Sequence, residues 1–413
     1  MFLSTKEYDC VNNCLRKKKY GLEIKKLINT LFNRGFIIKR KEDDEDYWQR
    51  IRSQLNIGQV RLSIFYILTS NACNFNCKYC YMLNNETKAN TIEKTFDKTN
   101  IKKVVDLIKK LPTEKELMII FYGGEPLIDF NTVKKFTTEL EAALLGKKLV
   151  FQIVTNGALI NKTIGEFFKK HSFLVSVSLD GPQKITDLWR KSVSGNSAYD
   201  LANNGINTLI SCGIKPGISC TITPHNYEVL IPTVMHFMEK CDVKSIGFNP
   251  WLEFDGIKNK DINFEKMNTN LFKAYEYLNS KKIYEDRINR KVESFMKRQI
   301  KVSDCGAIGN QLVFFPNGDV GICHAFQNKY IIGNVKNLES DIVANNLDLK
   351  LWANRTPFNI DECKFCPAIA ICGGGCPHNA YVQNGSIFTT DKNFCIHSKM
   401  ALNWLLNRVY KLQ

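Results

Sequence analysis

Between residues 62 and about 250, short apolar runs alternate with amphipathic segments of helical periodicity. The apolar runs lie near residues 63–69, 116–122, 149–155, 173–179, 215–221 and 244–249. This alternation is typical of consecutive βα units and predicts an α/β fold built on a parallel sheet. A closed barrel of this kind has eight such units. The six units found here therefore predict an open, partial (β/α)6 TIM-type barrel with a wide mouth.

Three cysteines, Cys73, Cys77 and Cys80, follow the first apolar run in a short segment. Three thiolates can hold three irons of a 4Fe-4S cube and leave the fourth iron without a protein ligand. Zinc also uses closely spaced cysteines, but it needs a fourth nearby Cys or His. None lies between Ser53 and Lys110 apart from these three. The spacing therefore favours a cluster with an open iron over a zinc knuckle.

A second group of cysteines occupies the C-terminal quarter of the chain. Its members are Cys305, Cys323, Cys363, Cys366, Cys372, Cys376 and Cys395. The offsets within residues 363–376 are improbable by chance, and the proline and glycine residues beside them supply turns that bring thiolates together. A zinc ribbon is the alternative for this segment, but the outlying cysteines fit no common zinc spacing. The quarter is therefore predicted to be a metal domain.

The composition agrees with metal binding in a reducing compartment. The chain has 15 cysteines and no apolar secretory segment at its N-terminus, so we expect a cytoplasmic protein whose cysteines bind metal rather than form disulfides. No apolar run approaches the roughly 18 residues of a membrane span. The formal net charge of +16 suits an acidic peptide or nucleic acid, but solvated lysine-rich faces are common. Without a basic stripe interleaved with aromatic residues, nucleic acid is an unlikely partner.

The first cysteine segment resembles the cluster motif of the radical S-adenosylmethionine (SAM) superfamily. Further motifs of that superfamily follow at strand ends, in the order Gly123-Gly124-Glu125-Pro126, Thr155-Asn156, Ser178 with Asp180, and Arg190. The resemblance implies that the open iron binds the amino and carboxylate groups of SAM. It also implies that reductive cleavage of SAM releases a 5′-deoxyadenosyl radical, which takes hydrogen from a substrate.

The same resemblance implies a set of SAM contacts. They are Tyr79, Gly123, Gly124, Glu125, Pro126, Thr155, Asn156, Ser178, Asp180, Arg190 and Ile218. The two glycines are expected to let the main chain approach the ammonium group of SAM, because they carry no Cβ. Arg190 suits the SAM carboxylate, because a guanidinium binds a carboxylate through two hydrogen bonds. Tyr79 and Ile218 are expected beside the adenine.

The C-terminal cysteines resemble the seven-cysteine SPASM extension of radical SAM enzymes, which holds two auxiliary 4Fe-4S clusters. The match assigns Cys363, Cys366, Cys372 and Cys395 to an outer cluster, and Cys305, Cys323 and Cys376 to an inner one. The inner cluster then either takes a fourth ligand from elsewhere or has an open iron. We expect the substrate's own cysteine thiolate at that iron. Three 4Fe-4S clusters are predicted in total.

His324 follows directly on Cys323. Related sulfatase-maturing enzymes carry an aspartate proton acceptor at this position, so the difference disfavours that activity. A histidine titrates in a range suited to proton transfer, and His324 is a candidate catalytic base. The alternative is a hydrogen-bonding role beside the cluster.

The resemblance also divides the chain into parts. Residues 1–60 are expected to form a small α+β domain that resembles the winged-helix type of leader-binding domain, with an ordinary packing extension as the alternative. Residues 61–250 are the predicted barrel, residues 251–302 a helical bridge and residues 303–413 the SPASM domain. Five further cysteines are predicted to be core positions, namely Cys10, Cys14, Cys212, Cys220 and Cys241. Cys10 and Cys14 lie one helical turn apart, and metal binding is the alternative for them.

Taken together, the resemblance implies an enzyme that matures peptides. It would abstract hydrogen from a residue of a ribosomally synthesised, cysteine-containing precursor peptide with a leader and form a thioether crosslink. A flavodoxin or ferredoxin type of external electron donor is expected. The alternatives are an anaerobic sulfatase-type maturase that forms formylglycine and, from another class, a multi-cluster electron carrier or zinc-binding protein.

Overall fold

The computed structural model describes residues 11, 22–33, 41–82, 96–254, 261–326 and 328–411. The chain divides into two compact units, residues 1–57 with 406–413, and residues 58–405. The first unit contains helices α1 (Leu22–Asn33) and α2 (Lys41–Gln54). The extended run expected at residues 35–38 lies outside the described residues, as do Cys10 and Cys14.

One sheet organises the second unit. Its strands among the described residues are β1 (Leu62–Ser70), β2 (Thr113–Gly123), β3 (Lys148–Thr155), β4 (Leu174–Ser178), β5 (Gly217–Ile222), β6 (Ser245–Pro250), β7 (Tyr284–Glu285), β8 (Gln311–Phe314), β9 (Asp319–Gly321) and β10 (Ile331–Asn334). Across the sheet the order is β10-β9-β8-β1-β2-β3-β4-β5-β6-β7. Strands β1 to β7 pair in parallel, and β8 is parallel to β1. Strands β9 and β10 are antiparallel to their neighbours.

The predicted parallel α/β sheet is therefore confirmed, and each of the six predicted strands overlaps one of β1 to β6. The sheet is larger than predicted. Strand β7 extends one edge, and β8 pairs with β1 although it lies far along the chain. Because β8 belongs to the predicted C-terminal domain, that region and the predicted barrel share a single sheet.

Helices connect the strands and cover the sheet. They are α3 (Lys98–Lys110), α4 (Phe130–Ala143), α5 (Lys162–Lys170), α6 (Gln183–Trp189), α7 (Ala198–Ser211), α8 (Leu230–Lys240), α9 (Phe264–Ser280), α10 (Asp286–Met296), α11 (Ser340–Asn345), α12 (Leu347–Ala353), α13 (Ile369–Cys372), α14 (Pro377–Asn384) and α15 (Lys392–Lys411). Several begin at a side-chain cap. For example, Asp97 and Asn161 accept hydrogen bonds from main-chain N–H groups three residues later, as N-cap residues do. No helix of the described residues is long and apolar enough to cross a membrane.

Alternation along the strands separates the core from a cavity. In β1, Phe65 and Ile67 are fully buried in the core, whereas Ile64 and Tyr66 line the cavity. Side chains of a strand point alternately to its two faces, so the sheet buries one face against the helices and presents the other to the cavity.

The predicted core cysteines in this unit differ in burial. Cys220 and Cys241 are buried within the main core. Cys212 ends α7 and is only half-buried, with its Sγ 3.9 Å from the carbonyl oxygen of Lys162.

Candidate active site

A cavity of about 1000 Å³ lies inside the second unit. Its lining includes Tyr122, Thr155, Ser178, Thr221 and Asn249, which come from the C-terminal parts of five successive strands. In parallel α/β folds, the strand ends at this edge carry the reacting groups. The central cavity is therefore the candidate active site.

The cysteine loop, residues 73–80, lies at this cavity. Cys73, Cys77 and Cys80 all line it. The segment after α6 holds the loop in place through main-chain hydrogen bonds, from Asn76 N to Lys191 O at 2.7 Å and from Lys78 N to the Trp189 carbonyl at 2.9 Å. The three thiols therefore face one cavity from a loop that main-chain hydrogen bonds hold in place.

Burial opposes ionisation of these thiols. It raises the pKa of Cys73 to about 12 and the pKa of Cys77 to about 11; the charges of neighbouring cysteines contribute to both values, and Arg190 opposes the rise at Cys77. A bound metal reverses this tendency, because it holds its sulfur ligands as thiolates. The donor set, three half-buried thiols at one cavity, thus fits an iron-sulfur cluster.

Gly123 and Gly124 pack against the main chain just before the cysteine loop. A Cβ on Gly123 would lie 2.4 Å from Ser70 O, and a Cβ on Gly124 would lie 2.3 Å from Ala72 O. Hydrogen bonds from Gly124 N to Ser70 O and from Glu125 N to Ala72 O, both 2.8 Å long, join the same two segments. Both glycines line the cavity as expected, but the close neighbours that require them are main-chain atoms of the protein.

Glu125 ties the end of β2 to the end of β3. Its carboxylate accepts hydrogen bonds from Leu127 N at 3.0 Å, Thr155 Oγ1 at 2.7 Å and Asn156 N at 2.8 Å. Asn156 in turn donates to Asn74 Oδ1 in the cysteine loop at 2.7 Å. Burial raises the pKa of Glu125 to about 7. Glu125 thus joins three of the predicted motifs into one framework.

Asp180 and Arg190 form a buried ion pair at the end of β4. Nε and Nη2 of Arg190 donate to the carboxylate of Asp180, each at 2.9 Å. The same carboxylate accepts from Tyr79 Oη at 2.5 Å and from Thr221 N at 2.9 Å. Arg190 and Tyr79 line the cavity, and Asp180 lies behind them. Asp180 therefore positions the two side chains that face the cavity.

Most of the predicted SAM contacts converge on this cavity. Those that line it are Tyr79, Gly123, Gly124, Glu125, Thr155, Asn156, Ser178, Arg190 and Ile218. Asp180 and Pro126 do not line it. Pro126 instead begins a short 3-10 turn, and its carbonyl oxygen accepts a hydrogen bond from Thr69 Oγ1 at 3.2 Å. The contact of each residue with SAM remains a prediction.

His324 lines the cavity inside a group of tyrosines. Its Nδ1 lies 2.7 Å from Tyr81 Oη. Its ring centroid is 4.9 Å from that of Tyr66 and 5.2 Å from that of Tyr122. Burial, and then His378, lower the pKa of His324 to about 4, so the imidazole is neutral at neutral pH. These tyrosines were not predicted from the sequence as site residues, although alternation along β1 and β2 places Tyr66 and Tyr122 on the cavity face.

Cys305, Cys323 and Cys376, the inner trio, also line the cavity. Burial, followed by the charges of Cys305 and Cys376, raises the pKa of Cys323. Burial and then Cys305 raise the pKa of Cys376 to about 12. The three thiols are thus neighbours, although they lie on separate parts of the chain.

The outer four cysteines, Cys363, Cys366, Cys372 and Cys395, form a separate group. Burial, followed by the charges of the other three, raises the pKa of Cys363 to about 12. None of the four lines the cavity. The seven cysteines thus fall into a group of three at the cavity and a group of four away from it, and the assignment of a cluster to each group remains a prediction.

Among the described residues, no three His, Cys, Asp or Glu side chains are placed to hold a single metal ion. In a 4Fe-4S cube each thiolate binds a different iron. The thiols around a cube are consequently farther apart than ligands that share one ion.

Arg355 lies between the inner trio and the outer four and is fully buried. It donates hydrogen bonds to four main-chain carbonyls, those of Gly374 at 2.7 Å, Gly375 at 3.1 Å, Ile387 at 2.6 Å and Thr389 at 3.2 Å. Its charge favours the thiolates of cysteines in both groups, Cys305 and Cys376 in one and Cys363 in the other. No motif in the sequence had indicated this residue.

The sequence profile described as Radical SAM superfamily matches residues 67–230, which span β1 to the start of α8 and include the cysteine loop. Residues 67–230 form a radical SAM domain. Members of this superfamily bind a 4Fe-4S cluster together with SAM.

Two curated proteins resemble this chain over most of its length. It is 27% identical over 412 residues to the radical SAM cyclopropyl synthase TigE of Paramaledivibacter caminithermalis, covering 94% of this chain and 83% of that protein. It is 25% identical over 334 residues to the cysteine-type anaerobic sulfatase-maturating enzyme of Clostridium perfringens, covering 76% of this chain and 88% of that protein.

Two solved structures share its fold. Native anSMEcpe with bound AdoMet superposes with a TM-score of 0.73 at 21% identity, covering 85% of this chain and 99% of that one. Streptococcus suis SuiB bound to precursor peptide SuiA superposes with a TM-score of 0.59 at 17% identity, covering 86% of this chain and 80% of that one.

Proposed function

We propose that this radical SAM enzyme modifies a ribosomally synthesised, cysteine-containing precursor peptide and forms a thioether crosslink in it. The observation that carries the proposal is that a single cavity of about 1000 Å³ is lined both by the cysteine loop and by the inner trio. A peptide side chain in this cavity would meet both groups of thiols. The solved complex of SuiB with its precursor peptide supports a peptide as the substrate class.

The cysteine loop would hold the SAM-binding cluster, with one iron left for SAM. Bound together, the cluster and SAM supply a carbon radical that takes hydrogen from the substrate. The chain's own residues position SAM. Arg190, fixed by Asp180, offers its remaining N–H groups to the SAM carboxylate. Tyr79 is held by a hydrogen bond to the same aspartate, and with Ile218 it would border the adenine.

The other seven cysteines would hold two auxiliary 4Fe-4S clusters in a SPASM domain. The outer four complete the ligand set of one cube. The inner trio leaves one iron of the second cube without a cysteine from this group. Because the inner trio lines the cavity, the substrate's cysteine thiolate would be the ligand of this iron, and binding there would lower the pKa of the thiol and orient the sulfur.

His324 is our candidate for the base that receives a substrate proton. For this role its Nδ1–H must donate to Tyr81 Oη, so that Nε2 keeps its lone pair. Tyr81 would then fix both the tautomer and the orientation of the ring.

The remaining partners are proposed on family grounds. Residues 1–60 would bind the leader of the precursor peptide, and a flavodoxin or ferredoxin type of protein would supply the electron. Formylglycine formation is the second candidate function, and the similarity to the sulfatase-maturating enzyme supports it.

Mass analysis separates the two functions. The anoxically reconstituted enzyme is incubated with SAM, dithionite and either a cysteine-containing peptide encoded beside its gene or a sulfatase-derived cysteine peptide. A thioether forms with loss of hydrogen, retention of sulfur and loss of reactivity toward iodoacetamide. Formylglycine formation from cysteine loses the sulfur. Release of sulfur from either peptide would contradict the thioether proposal.

Matched variants test the metal assignment. Wild type should contain about twelve irons per chain, and replacement of Cys73, Cys77 and Cys80 together by alanine should remove about four. Cys212→Ala, in a half-buried cysteine outside all three groups, is the control and should keep the full content. A wild-type content of about four would leave only the SAM cluster and contradict the SPASM assignment.

A further inference from the structure

Arg287 lies in the first turn of α10 and lines the central cavity. Its Nε donates to the carbonyl oxygen of Phe248 in β6 at 2.8 Å, which fixes the direction of the side chain. Asn249 and Ser219, linked to each other by a 3.1 Å hydrogen bond, line the same cavity. A guanidinium is thus held at a polar part of the cavity wall.

The charge of Arg287 has no partner within the described part of the chain, where no ion pair involves this residue. The nearby acids pair with other cations. Asp286 pairs with Arg290 at 3.0 Å, and Asp304 pairs with Arg290 at 3.2 Å and with Lys301 at 2.9 Å.

The third nearby acid, Glu285, caps α10. Its carboxylate accepts from the main-chain N–H groups of Arg287 and Ile288 at 3.0 and 2.8 Å. Burial raises the pKa of Glu285 to about 7, so it carries only part of a charge at neutral pH. Buried Lys291 adds a further cation on the same helix. The positive charge around Arg287 therefore exceeds the negative charge of the surrounding acidic side chains.

Arg287 is half-buried, and a cation without a counter-ion in such a place is costly, because it loses part of its hydration. Burial accordingly lowers the pKa of Arg287. In the described structure, the guanidinium of Arg287 makes a single hydrogen bond, which its Nε donates. Both Nη atoms therefore remain for a ligand. A guanidinium presents such a pair of N–H groups to a carboxylate in a two-point contact. We propose that Arg287 binds a carboxylate of the substrate peptide.

Two carboxylates could reach the cavity, that of SAM and that of the substrate. The SAM carboxylate belongs at the cysteine loop, which follows β1 and lies close to Arg190, as the effect of Arg190 on the pKa of Cys77 indicates. Arg287 follows β7, and strands β2 to β6 separate β7 from β1 in the sheet. The substrate is therefore the source, and the peptide should carry an aspartate, a glutamate or its C-terminal carboxylate near the residue that reacts. This inference rests on the proposed function and narrows its substrate class.

Paired substitutions in enzyme and peptide provide the test. Binding of the precursor peptide to cluster-loaded, SAM-bound enzyme is measured by calorimetry, with each acidic residue changed in turn to its amide and with the C-terminus amidated. One of these peptides should bind wild type about 10-fold or more weakly, the range for a charge-assisted hydrogen bond. Arg287→Gln should bind the unchanged peptide equally weakly and should not distinguish the two peptides. Arg287→Lys should recover part of the difference.

Lys273→Gln, which removes one exposed charge on α9, is the matched control and should bind both peptides as wild type does. SAM affinity should be the same in wild type and Arg287→Gln. Loss of SAM affinity without loss of peptide discrimination would assign the carboxylate to SAM and overturn the proposal. Equal binding of all acidic and amide peptides to wild type would also overturn it.

A small probe separates failure of this inference from failure of the proposed function. Saturation-transfer NMR compares N-acetylglutamate methylamide with N-acetylglutamine methylamide on wild type and on Arg287→Gln. Wild type should bind the glutamate compound in preference to the glutamine compound, and the variant should show no preference. This outcome would support the carboxylate site at Arg287 even if the enzyme modified no peptide. If wild type showed no preference for the glutamate compound, the carboxylate site would be refuted even if the enzyme did modify a peptide.

Discussion

Arg190 and Asp180 form an ion pair whose exposed fractions are only 7% and 1%. Two hydrogen bonds of 2.9 Å join the guanidinium to the carboxylate. Two further donors, Tyr79 Oη and Thr221 N, occupy the same carboxylate. Asp180 therefore stabilises a buried cation, and it also fixes the direction in which Arg190 enters the cavity.

Asp180→Asn should weaken both folding and SAM binding. Asparagine removes the negative charge and places an NH₂ group where the carboxylate accepted hydrogen bonds. Removing one partner of a buried ion pair costs about 3–5 kcal/mol of folding stability. We expect a lower free energy of unfolding and a SAM dissociation constant raised about tenfold or more, measured by denaturant titration and calorimetry. The control is Asp242→Asn, which breaks an exposed 2.8 Å pair with Lys215 and should cost less than about 1 kcal/mol. Unchanged SAM affinity in Asp180→Asn would contradict the role given to Arg190.

Glu125 should make the stability of the metal-free protein depend on pH. Burial raises its pKa from 4.5 to about 7, so between these values the folded protein binds more protons than the unfolded chain. Its contribution to stability is then largest below about pH 4.5 and falls as the pH rises to about 7, by on the order of 3 kcal/mol. Unfolding of wild type and Glu125→Gln is compared across this range, and the difference between them should follow this slope.

Glu116→Gln is the control for that measurement, because Glu116 forms an exposed pair with Lys148. It should leave the pH dependence of wild type unchanged. If the unfolding free energies of wild type and Glu125→Gln changed with pH in parallel, the prediction would be wrong, because Glu125 would ionise in the folded protein as it does in the unfolded chain.

Gly124→Ala should displace the cysteine loop. The added Cβ would stand 2.3 Å from Ala72 O, a main-chain atom just before Cys73. Forcing these backbones apart should cost about 1–3 kcal/mol and reduce the iron held by the loop. In the control Gly146→Ala, the Cβ meets nothing within 4 Å, and only the positive φ of +91° is strained, at about 1 kcal/mol. Iron analysis and denaturant unfolding of both variants test this, and full iron binding in Gly124→Ala would count against it.

Local patterns predicted much of this fold and site. Each of β1 to β6 has its own apolar run, and Cys73, Cys77 and Cys80 are close in sequence, so short-range periodicity and spacing were sufficient. Tyr66 and Tyr122 could have been found in the same way, because their position in the alternation of β1 and β2 already places them on the cavity face.

Other features depend on contacts between distant residues. Strand β8 pairs with β1, with Gln311 opposite Ile64, and no local periodicity encodes that pairing. Arg287 is a candidate because it forms no ion pair in the described structure. The sequence shows several acidic residues near it, and each of them is a possible partner. Only the folded geometry distinguishes the arginine that is paired from the one that is not.

Arg355 is the clearest case, because all its recorded hydrogen-bond acceptors in the described structure are main-chain carbonyls, separated from it by 19 to 34 residues. A fully buried cation bonded only to carbonyls is costly. The auxiliary clusters proposed above would offset this cost, since a cube with four thiolates carries about two negative charges. Two of the carbonyls belong to Gly374 and Gly375, in the segment between Cys372 of the outer four and Cys376 of the inner trio.

Substitutions at Arg355 should therefore shift the auxiliary clusters and spare the SAM cluster. Arg355→Gln removes the cation, which should lower both auxiliary reduction potentials by roughly tens of millivolts. Arg355→Lys keeps the charge and should give smaller shifts, although its three donors cannot serve all four carbonyls. Electron paramagnetic resonance during a redox titration measures all three clusters, so the SAM cluster is an internal control. If Arg355→Gln kept its iron and all three reduction potentials, the prediction would be wrong. The guanidinium would then only fix the main-chain carbonyls that it binds, because a purely structural role does not change cluster potentials.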